Sequence, residues 1–240
     1  MDSGGRQALI TGASSGIGAA TAKVLAQAGF AVILTARSES KLQSLVQTIR
    51  QQGNQAEWLT IDLSAVDQIK TRVKTAIETL GSIDVLVNCA GMGYTGQIGD
   101  MPLTDWQQIL DLNVTSVFQM IQAVLPDMRS RQSGTIVNIA SIAAQQSFPN
   151  WGAYGVSKAA LVALSNALAV EESGNGIRVI TISPGAVNTG LWDTATVQAD
   201  FERSQMIEAD TIAQTILHTV SVPTGAVISN LTITPSQGAL

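Results

Sequence analysis

The sequence is poor in the residues that build disulfides and metal sites. Its 240 residues include one cysteine, Cys89, and one histidine, His218. A disulfide within the chain needs two cysteines, and a zinc site usually takes about four Cys or His ligands. We therefore predict neither a disulfide framework nor a metal centre, and a reducing compartment suits this composition.

Positive charge is also scarce. Lys and Arg number 13 against 18 Asp and Glu, which gives a formal net charge of −5. Nucleic acids and anionic membranes bind dense basic surfaces, so neither is an expected partner. No uninterrupted apolar run approaches the roughly 18 residues of a membrane span. The polar residues 1–7 lead into no secretory segment, so we predict a cytoplasmic protein.

Short apolar runs alternate with longer segments of helical periodicity. Strands are predicted at 8–11, 31–36, 56–61, 83–87, 135–140, 178–182 and 226–232, and helices at 17–28, 40–52, 66–80, 104–129, 151–171 and 210–220. Runs such as Val85-Leu86-Val87 are apolar on both faces, which is typical of parallel strands covered by helices on either side. The pattern predicts an α/β fold, a Rossmann-like doubly wound sheet of seven parallel strands with helices on both faces.

A glycine-rich segment joins the first predicted strand to the first helix. It reads Thr11-Gly12-Ala13-Ser14-Ser15-Gly16-Ile17-Gly18. Glycine lets the backbone turn tightly and approach a pyrophosphate, while a helix N-terminus directs N–H groups at negative charge. An ordinary tight turn would use glycine as well. The position of the segment, at the first strand-to-helix turn, favours dinucleotide binding.

The second predicted strand ends at Arg37, where an NAD-specific site usually has an acidic residue for the adenine ribose. A guanidinium can instead pair with a 2′-phosphate, and Ser14 and Ser15 can donate further hydrogen bonds. The absent carboxylate therefore favours NADP(H) as the cofactor. The alternative for Arg37 is a solvated loop cation beside Glu39.

The third predicted strand ends in Ile61-Asp62-Leu63. Asp62 is placed to hold the adenine amino group. Capping of the next helix together with Ser64 explains an aspartate here equally well, and both interpretations remain open.

Tyr154 and Lys158 stand four residues apart in a predicted helix, so they share one face about one turn apart. A neighbouring ammonium favours the phenolate and would lower the pKa of Tyr154 from its ordinary value near 10. Such a tyrosine can protonate a carbonyl oxygen in reduction and remove an alcohol proton in oxidation. Ser141, after the fifth strand, can bond the same oxygen and orient it. A surface pair on a helix is the alternative for Tyr154 and Lys158.

Motifs along almost the whole chain resemble the short-chain dehydrogenase/reductase family. They are the segment from Thr11 to Gly18, Asn88-Cys89-Ala90-Gly91, Asn113, Ser141, Tyr154-x-x-x-Lys158 and Pro184-Gly185 with Thr189. The resemblance implies an NADP-dependent oxidoreductase that acts on the CH–OH group of donors. The catalytic residues that it implies are Asn113, Ser141, Tyr154 and Lys158.

The resemblance also implies particular roles. Lys158 is expected to bind the nicotinamide ribose, and Asn113 to hold a water that relays protons from Lys158 to solvent. For Asn113 the alternative is a buried residue that bonds local backbone in a helix irregularity. The predicted cofactor-binding residues are Gly12, Ser14, Ser15, Gly16, Ile17, Gly18, Arg37, Asp62, Leu63, Asn88, Ala90, Gly91, Tyr154, Lys158, Pro184, Gly185, Val187 and Thr189.

A mainly apolar substrate pocket is expected between these motifs and residues 191–209. Its candidate wall residues are Met92, Tyr94, Gln145, Phe148, Trp151, Trp192, Phe201 and Met206, any of which can equally be ordinary core. Arg203 is the cation there that can meet a substrate carboxylate, with a solvated surface position as the alternative.

These features predict one domain over residues 1–240, with residues 1–130 mainly nucleotide-binding and residues 131–240 catalytic and substrate-binding. The predicted function is reduction of a ketone or aldehyde to an alcohol with NADPH, or the reverse on a hydroxy acid. The tail from Val227 to Pro235 resembles the 3-hydroxy acid dehydrogenase or carbonyl reductase branch, with 3-oxoacyl-ACP reduction as an alternative. A non-catalytic NADP(H)-binding regulator is another. The resemblance further implies a homodimer or homotetramer built through the helices at 104–129 and 151–171.

Overall fold

The computed structural model describes residues 5–199 and 202–238. In this part of the chain seven parallel strands form one sheet: β1 (Gln7–Thr11), β2 (Ala31–Ala36), β3 (Ala56–Thr60), β4 (Val85–Asn88), β5 (Gly134–Ile139), β6 (Ile177–Pro184) and β9 (Asn230–Ile233). Their order across the sheet is β3-β2-β1-β4-β5-β6-β9. The predicted doubly wound α/β fold is confirmed.

Helices cover the sheet. They are α1 (Gly16–Gln27), α2 (Glu39–Gln51), α3 (Val66–Leu80), α4 (Leu103–Leu110), α5 (Ser116–Arg131), α6 (Gly152–Glu172) and α7 (Ala209–Ser221). The predicted bounds of α3 agree with the structure, and those of α1, α2, α6 and α7 lie within one residue of it. Strong helical periodicity is what made these elements predictable.

Two apolar clusters, one on each face of the sheet, form the core. Leu25 of α1, Leu42 and Ile49 of α2 and Ile216 of α7 are fully buried on one face. Residues of α3, α5 and α6 fill the other, among them Ile69, Met120 and Leu161. Complete burial of one such side chain contributes about 1.5–3 kcal/mol. Both faces of the sheet are therefore buried under apolar side chains, as the apolar strand runs predicted.

The direction in which successive strands are added to the sheet reverses between β1 and β4, which are parallel neighbours although β2 and β3 lie between them in sequence. The backbone N–H of Ala90, just beyond β4, donates a 3.0 Å hydrogen bond to Oγ1 of Thr11 at the end of β1. In such sheets, ligands bind at the carboxyl ends of the strands beside this reversal. The predicted motif residues of both strands lie there.

The segment 104–129, predicted as one helix, is interrupted. A π-helical turn, Asp111–Thr115, separates α4 from α5. Such turns insert an extra residue into a helix and often occur at functional sites. Because apolar periodicity continues on both sides of the turn, the sequence pattern conceals it.

Two other differences concern the last third of the chain. The C-terminal strand begins at Asn230 rather than at residue 226, and two short strands, β7 (Val187–Asn188) and β8 (Ile207–Glu208), pair with each other outside the main sheet. A two-residue strand has no alternation that a sequence pattern can show. Its existence depends on a partner strand about 20 residues away.

Two continuous helical stretches are long and apolar enough to cross a membrane by length and composition: Leu103–Arg131 and Gly152–Asn175. Half of the most apolar window of the first and one third of that of the second are buried inside the domain. Their apolar residues contribute to the core on one face of the sheet. The same composition is therefore explained by packing within the domain.

Candidate active site

The glycine-rich turn brings backbone into close contact with the end of β4. Gly12 has a φ of +66°, and a Cβ atom on it would lie 2.9 Å from the backbone of Ala90. A Cβ atom on Gly18 would lie 2.5 Å from the carbonyl oxygen of Gly12. Only glycine fits at either position, so the close turn requires both residues.

The same turn presents the N-terminus of α1. Ser15 precedes the helix in an extended conformation, and its side chain makes no capping hydrogen bond. The first N–H groups of α1 are thus left without a side-chain partner, which is the arrangement that binds phosphate at helix N-termini. The turn fits the pyrophosphate of a dinucleotide.

Arg37 follows β2 and Asp62 follows β3, at the same edge of the sheet as the glycine-rich turn. Asp62 Oδ1 accepts hydrogen bonds from the backbone N–H of Ser64 at 3.0 Å and from its hydroxyl at 2.7 Å. These two bonds, followed by the nearby charge of Arg37, lower the pKa of Asp62. Arg37 itself is exposed. Leu63 is buried beside them, 4% exposed.

The amide of Asn88 lies between strands rather than in the cavity. Its Nδ2 donates a 2.8 Å hydrogen bond to Oδ1 of Asn138, whose own Nδ2 donates to the hydroxyl of Ser165 at 2.9 Å. This buried network joins β4, β5 and α6. These contacts give Asn88 a structural role, and its predicted contact with the cofactor stays a prediction.

Asn113, in the π-helical turn, ties the loop after β4 to α6. It is fully buried, and its Nδ2 donates to the carbonyl of Met92 at 3.0 Å and to the hydroxyl of Ser157 at 2.9 Å. Its Oδ1 accepts the N–H of Met92 at 2.8 Å. Both amide protons are therefore used in distant contacts rather than in local backbone bonds. The proton-relay role stays a prediction.

Tyr154, Lys158 and Ser141 meet on one wall of a cavity of about 490 Å³. α6 carries the first two residues, and Ser141 follows β5 at the start of a short 3₁₀ turn. The Ser141 hydroxyl oxygen accepts the N–H of Ala143 at 3.1 Å, and Ser141 also forms a hydrogen bond with Tyr154. The spacing along the sequence placed Tyr154 and Lys158 on one helix face, and the structure adds Ser141 beside them.

The Lys158 ammonium lies inside the wall. Its Nζ is 5.8 Å from the centre of the Tyr154 ring and donates a 2.9 Å hydrogen bond to the carbonyl of Ile139. Burial lowers the pKa of Lys158 to about 8. The direction is the one expected for a cation moved out of water.

The expected lowering of the pKa of Tyr154 by Lys158 is wrong for this structure. Burial raises the pKa of Tyr154, while its hydrogen bond with Ser141 works in the opposite direction. Desolvation dominates because the ammonium is directed at the Ile139 carbonyl instead of at the phenol oxygen. Tyr154 is therefore a protonated phenol at neutral pH.

One side of the cavity is formed by the loops after β4 and β6 and by Ile17, near the start of α1. The predicted residues on its wall are Ile17, Gly91, Pro184, Gly185, Val187 and Thr189. Thr189 closes over the glycine-rich turn, since a Cβ atom on Gly16 would lie 3.1 Å from its methyl group. These predicted cofactor-binding residues thus lie side by side.

Four of the candidate substrate contacts line the same cavity: Met92, Phe148, Trp151 and Trp192. Others have different environments. The Tyr94 hydroxyl donates to Asp105 at 2.9 Å, and Met206 is core. Gln145 lies outside the cavity wall and donates to Thr232 at 3.4 Å. Phe201 lies outside the described residues.

Arg203 is neither free for a carboxylate nor simply solvated. Its Nη1 donates to the carbonyl of Thr189 at 2.7 Å and to Oδ1 of Asn188 at 3.2 Å, and its Nη2 donates to Asp193 at 2.6 Å. Sequence reasoning missed this clamp on the loop after β6. No local pattern marks it, because the partners are 10 to 15 residues away.

The segment 191–199 contributes Leu191, Trp192, Gln198 and Ala199 to the cavity wall and bonds to the loop after β4. The Thr196 hydroxyl donates to the carbonyl of Gly93 at 2.8 Å, and the N–H of Thr95 donates to the carbonyl of Thr196 at 2.9 Å. The N–H of Gln198 donates to the Thr95 hydroxyl at 2.7 Å. These contacts fix the covering segment across a separation of about 100 residues.

Cys89 also lines the cavity, but it is not a nucleophile. Burial raises the pKa of its thiol to about 12, so the thiolate is not formed at neutral pH. Within the described residues no group of three His, Cys, Asp or Glu side chains is placed to hold a metal ion. The chemistry of the site therefore centres on Tyr154.

The fold and the site define an oxidoreductase of the Rossmann type. Its glycine-rich turn lies where the strand order reverses, and a tyrosine, a lysine and a serine lie in the adjoining cavity wall. A family model described as short chain dehydrogenase matches residues 6–200. The chain belongs to this family, and the family predicted from its motifs is confirmed.

Individual proteins agree with this assignment. An uncharacterized oxidoreductase of Staphylococcus epidermidis is 33% identical over 228 residues, which cover 95% of this chain and 96% of the relative. An alcohol dehydrogenase of Thermococcus sibiricus, solved with 5-hydroxy-NADP, superposes with a TM-score of 0.89 at 26% identity and 98% coverage of both chains. Actinorhodin polyketide ketoreductase, solved with NADPH, superposes with a TM-score of 0.88 at 27% identity over the full length of both chains.

Proposed function

We propose that this protein interconverts a ketone or aldehyde and the corresponding alcohol with NADP(H), and that Tyr154 is its general acid and base. The observation that carries the proposal is the Tyr154 phenol beside the Ser141 hydroxyl in the wall of a cavity that Ile17 and the loop after β6 also line. NADPH supplies the hydride when bound. The protein must then supply a proton and hold the carbonyl oxygen.

Tyr154 is suited to deliver that proton. A tyrosine with its ordinary pKa near 10 is protonated at neutral pH, so the phenol can protonate the carbonyl oxygen. Burial raises the pKa of Tyr154 and weakens it as an acid, and the hydrogen bond with Ser141 works in the opposite direction. Ser141 donates a hydrogen bond to the same oxygen and orients it. The hydrogen bond with Ser141, which works against the effect of burial on the pKa of Tyr154, favours the phenolate that remains after the transfer. In the oxidative direction, the phenolate removes the alcohol proton.

NADP(H) is supported over NAD(H) by the end of β2. Arg37 is exposed there, and the position holds no carboxylate for the ribose hydroxyls. The solved relatives named above carry 5-hydroxy-NADP and NADPH. The groove of this chain fits the same dinucleotide, since its glycine-rich turn and the uncapped N-terminus of α1 provide the phosphate cradle.

A second candidate function is reduction of a 3-oxoacyl group carried on an acyl carrier protein. The similarity to a polyketide ketoreductase favours it. The chemistry at Tyr154 is the same in both cases, so the two functions differ in the carrier alone.

We further propose that the protein is a homodimer or homotetramer in the cytoplasm. A shallow apolar groove between α5 and α6 supports self-association: it is lined by Phe118, Ile121, Leu125, Leu164 and Leu168 among others. Phe118 is 41% exposed and Val170 78% exposed on these helices. A second copy of the same face would remove this surface from water.

The decisive test of the chemistry is Tyr154→Phe. We expect NADPH oxidation with an activated ketone to fall by about three orders of magnitude or more, while NADPH still binds in a fluorescence titration. Tyr94→Phe is the matched control, since Tyr94 is the other of the two tyrosines and its hydroxyl contacts Asp105 outside the cavity. Turnover that survives in Tyr154→Phe, or is lost equally in both variants, contradicts the proposal.

A further inference from the structure

The charge of the cavity restricts its substrate. Among the described residues that line it, Lys158 is the one charged side chain. Its ammonium is directed into the wall at the carbonyl of Ile139. A carboxylate carried into this cavity would find no cation free to pair with it, and burial of an unpaired charge is strongly unfavourable.

Arg203, which the sequence suggested as a partner for a substrate carboxylate, does not supply this missing cation. Its guanidinium is already shared among Asn188, Thr189 and Asp193. Release of the arginine for a ligand would break the clamp on the loop after β6. The structure therefore weighs against the hydroxy-acid substrate that the C-terminal tail suggested.

The wall beside the catalytic phenol consists of aromatic rings. The ring centre of Trp151 lies 5.2 Å from that of Tyr154 and 5.6 Å from that of Trp192, with edge-to-face angles of 69° and 67°. Offset and edge-to-face contacts of this kind hold flat rings in defined positions. The three rings form a contiguous aromatic cluster that begins at the reacting group.

The outer ring is also fixed by a polar contact. Trp192 Nε1 donates a 2.8 Å hydrogen bond to the carbonyl of Val187. Its N–H is thus satisfied by the protein, and the indole contributes apolar area to the cavity. Phe148 and Met92 extend the apolar lining.

Resting on the proposed function, we infer that the substrate is an uncharged carbonyl compound whose larger substituent is an aromatic or alicyclic ring, held against Trp151 and Trp192. Rigid rings match flat indole surfaces and lose little conformational entropy on binding. Ketones that bear a carboxylate are disfavoured, because the described cavity wall offers that group uncharged donors such as Asn150 and Gln198 but no free cation.

Two substrate pairs test this inference on the unmodified protein. The first is methyl 4-acetylbenzoate against 4-acetylbenzoate, which differ in charge. The second is acetophenone against 2-octanone, which have the same number of carbon atoms. We expect kcat/KM to be about 100-fold higher for the ester than for the acid, and about tenfold higher for the ring than for the linear chain.

A variant of Trp192 tests whether this residue causes the preference for ring-bearing ketones. Trp192→Ala should lower kcat/KM for acetophenone about tenfold and leave that for trifluoroacetone within about threefold, since the smaller ketone does not reach the outer ring. Trp58→Phe, at the far edge of the sheet in β3, is the control. Thermal melts of both variants establish that they fold.

The outcomes separate the inference from the function on which it rests. If every ketone in the panel is inert, the proposed function fails and the inference fails with it. If ketones are reduced but the acid and its ester react equally well, or the linear ketone matches the ring, the function stands and the inference is overturned.

Discussion

The Nη1 atom of Arg203 donates a 2.7 Å hydrogen bond to the backbone carbonyl of Thr189. Thr189 in turn closes over Gly16 of the phosphate-binding turn. A surface arginine thereby holds the loop that meets the nicotinamide end of the proposed cofactor, although it lies outside the cavity wall.

Arg203→Ala is expected to raise the KM for NADPH about tenfold and to change kcat less, because the loop loses its fixed position while Tyr154 remains in place. Arg203→Lys should restore part of the affinity through a single hydrogen bond. The measurement is steady-state kinetics at varied NADPH.

Asp193→Asn separates the carbonyl contact from the ion pair of Arg203. The Asp193 side chain is 72% exposed, and exposed ion pairs contribute about 0–1 kcal/mol. We expect the KM for NADPH to stay within about twofold. An equal rise in both variants would show that the ion pair, rather than the loop contact, matters.

Lys158→Met should stabilise the apoprotein while it inactivates the enzyme. A base whose pKa is lower in the folded state destabilises that state fully below the folded pKa, and the penalty disappears as the pH rises toward the unfolded pKa. The fall from 10.5 to about 8 corresponds to about 3 kcal/mol at neutral pH. The lost hydrogen bond to Ile139 offsets about 1 kcal/mol of the gain.

The pH dependence is the specific signature of this effect. The stability gap between Lys158→Met and the wild type, measured by urea denaturation, should be constant up to about pH 8 and then narrow toward pH 10.5. Lys74→Met, at an exposed position of α3, should show no such trend. A gap that stays equal at pH 7 and pH 10 would contradict the explanation.

Arg37→Ala should weaken NADPH selectively. A charge-assisted contact with the 2′-phosphate contributes about 1.5–3 kcal/mol, so the KM for NADPH should rise roughly 10- to 100-fold while that for NADH changes little. Lys74→Ala removes a cation elsewhere and serves as the control. An NADH preference in the wild type would refute the assignment of Arg37.

Phe118→Glu should dissociate the proposed oligomer. A carboxylate placed in the apolar groove between α5 and α6 loses its hydration when a second copy covers it. We expect light scattering after size exclusion to show at least a dimer for the wild type and a monomer for the variant. Gln47→Glu adds the same charge to an exposed position of α2 and should leave the assembly intact.

The sequence alone determined the fold and most of the site because the required signals are local. Apolar runs and helical periodicity predicted every strand of the main sheet and the helices that cover it. The spacing of four between Tyr154 and Lys158 fixes their common helix face. The glycines of the first turn are required by steric contact, which a motif records directly.

Tertiary structure decided what those residues experience. The pKa of Tyr154 rises instead of falling because burial outweighs a lysine whose ammonium points at Ile139. The clamp of Arg203 and the contact between Thr196 and Gly93 join residues that are 10 to 103 positions apart. Desolvation and long-range contacts depend on which surfaces the folded chain brings together, and no local spacing encodes them.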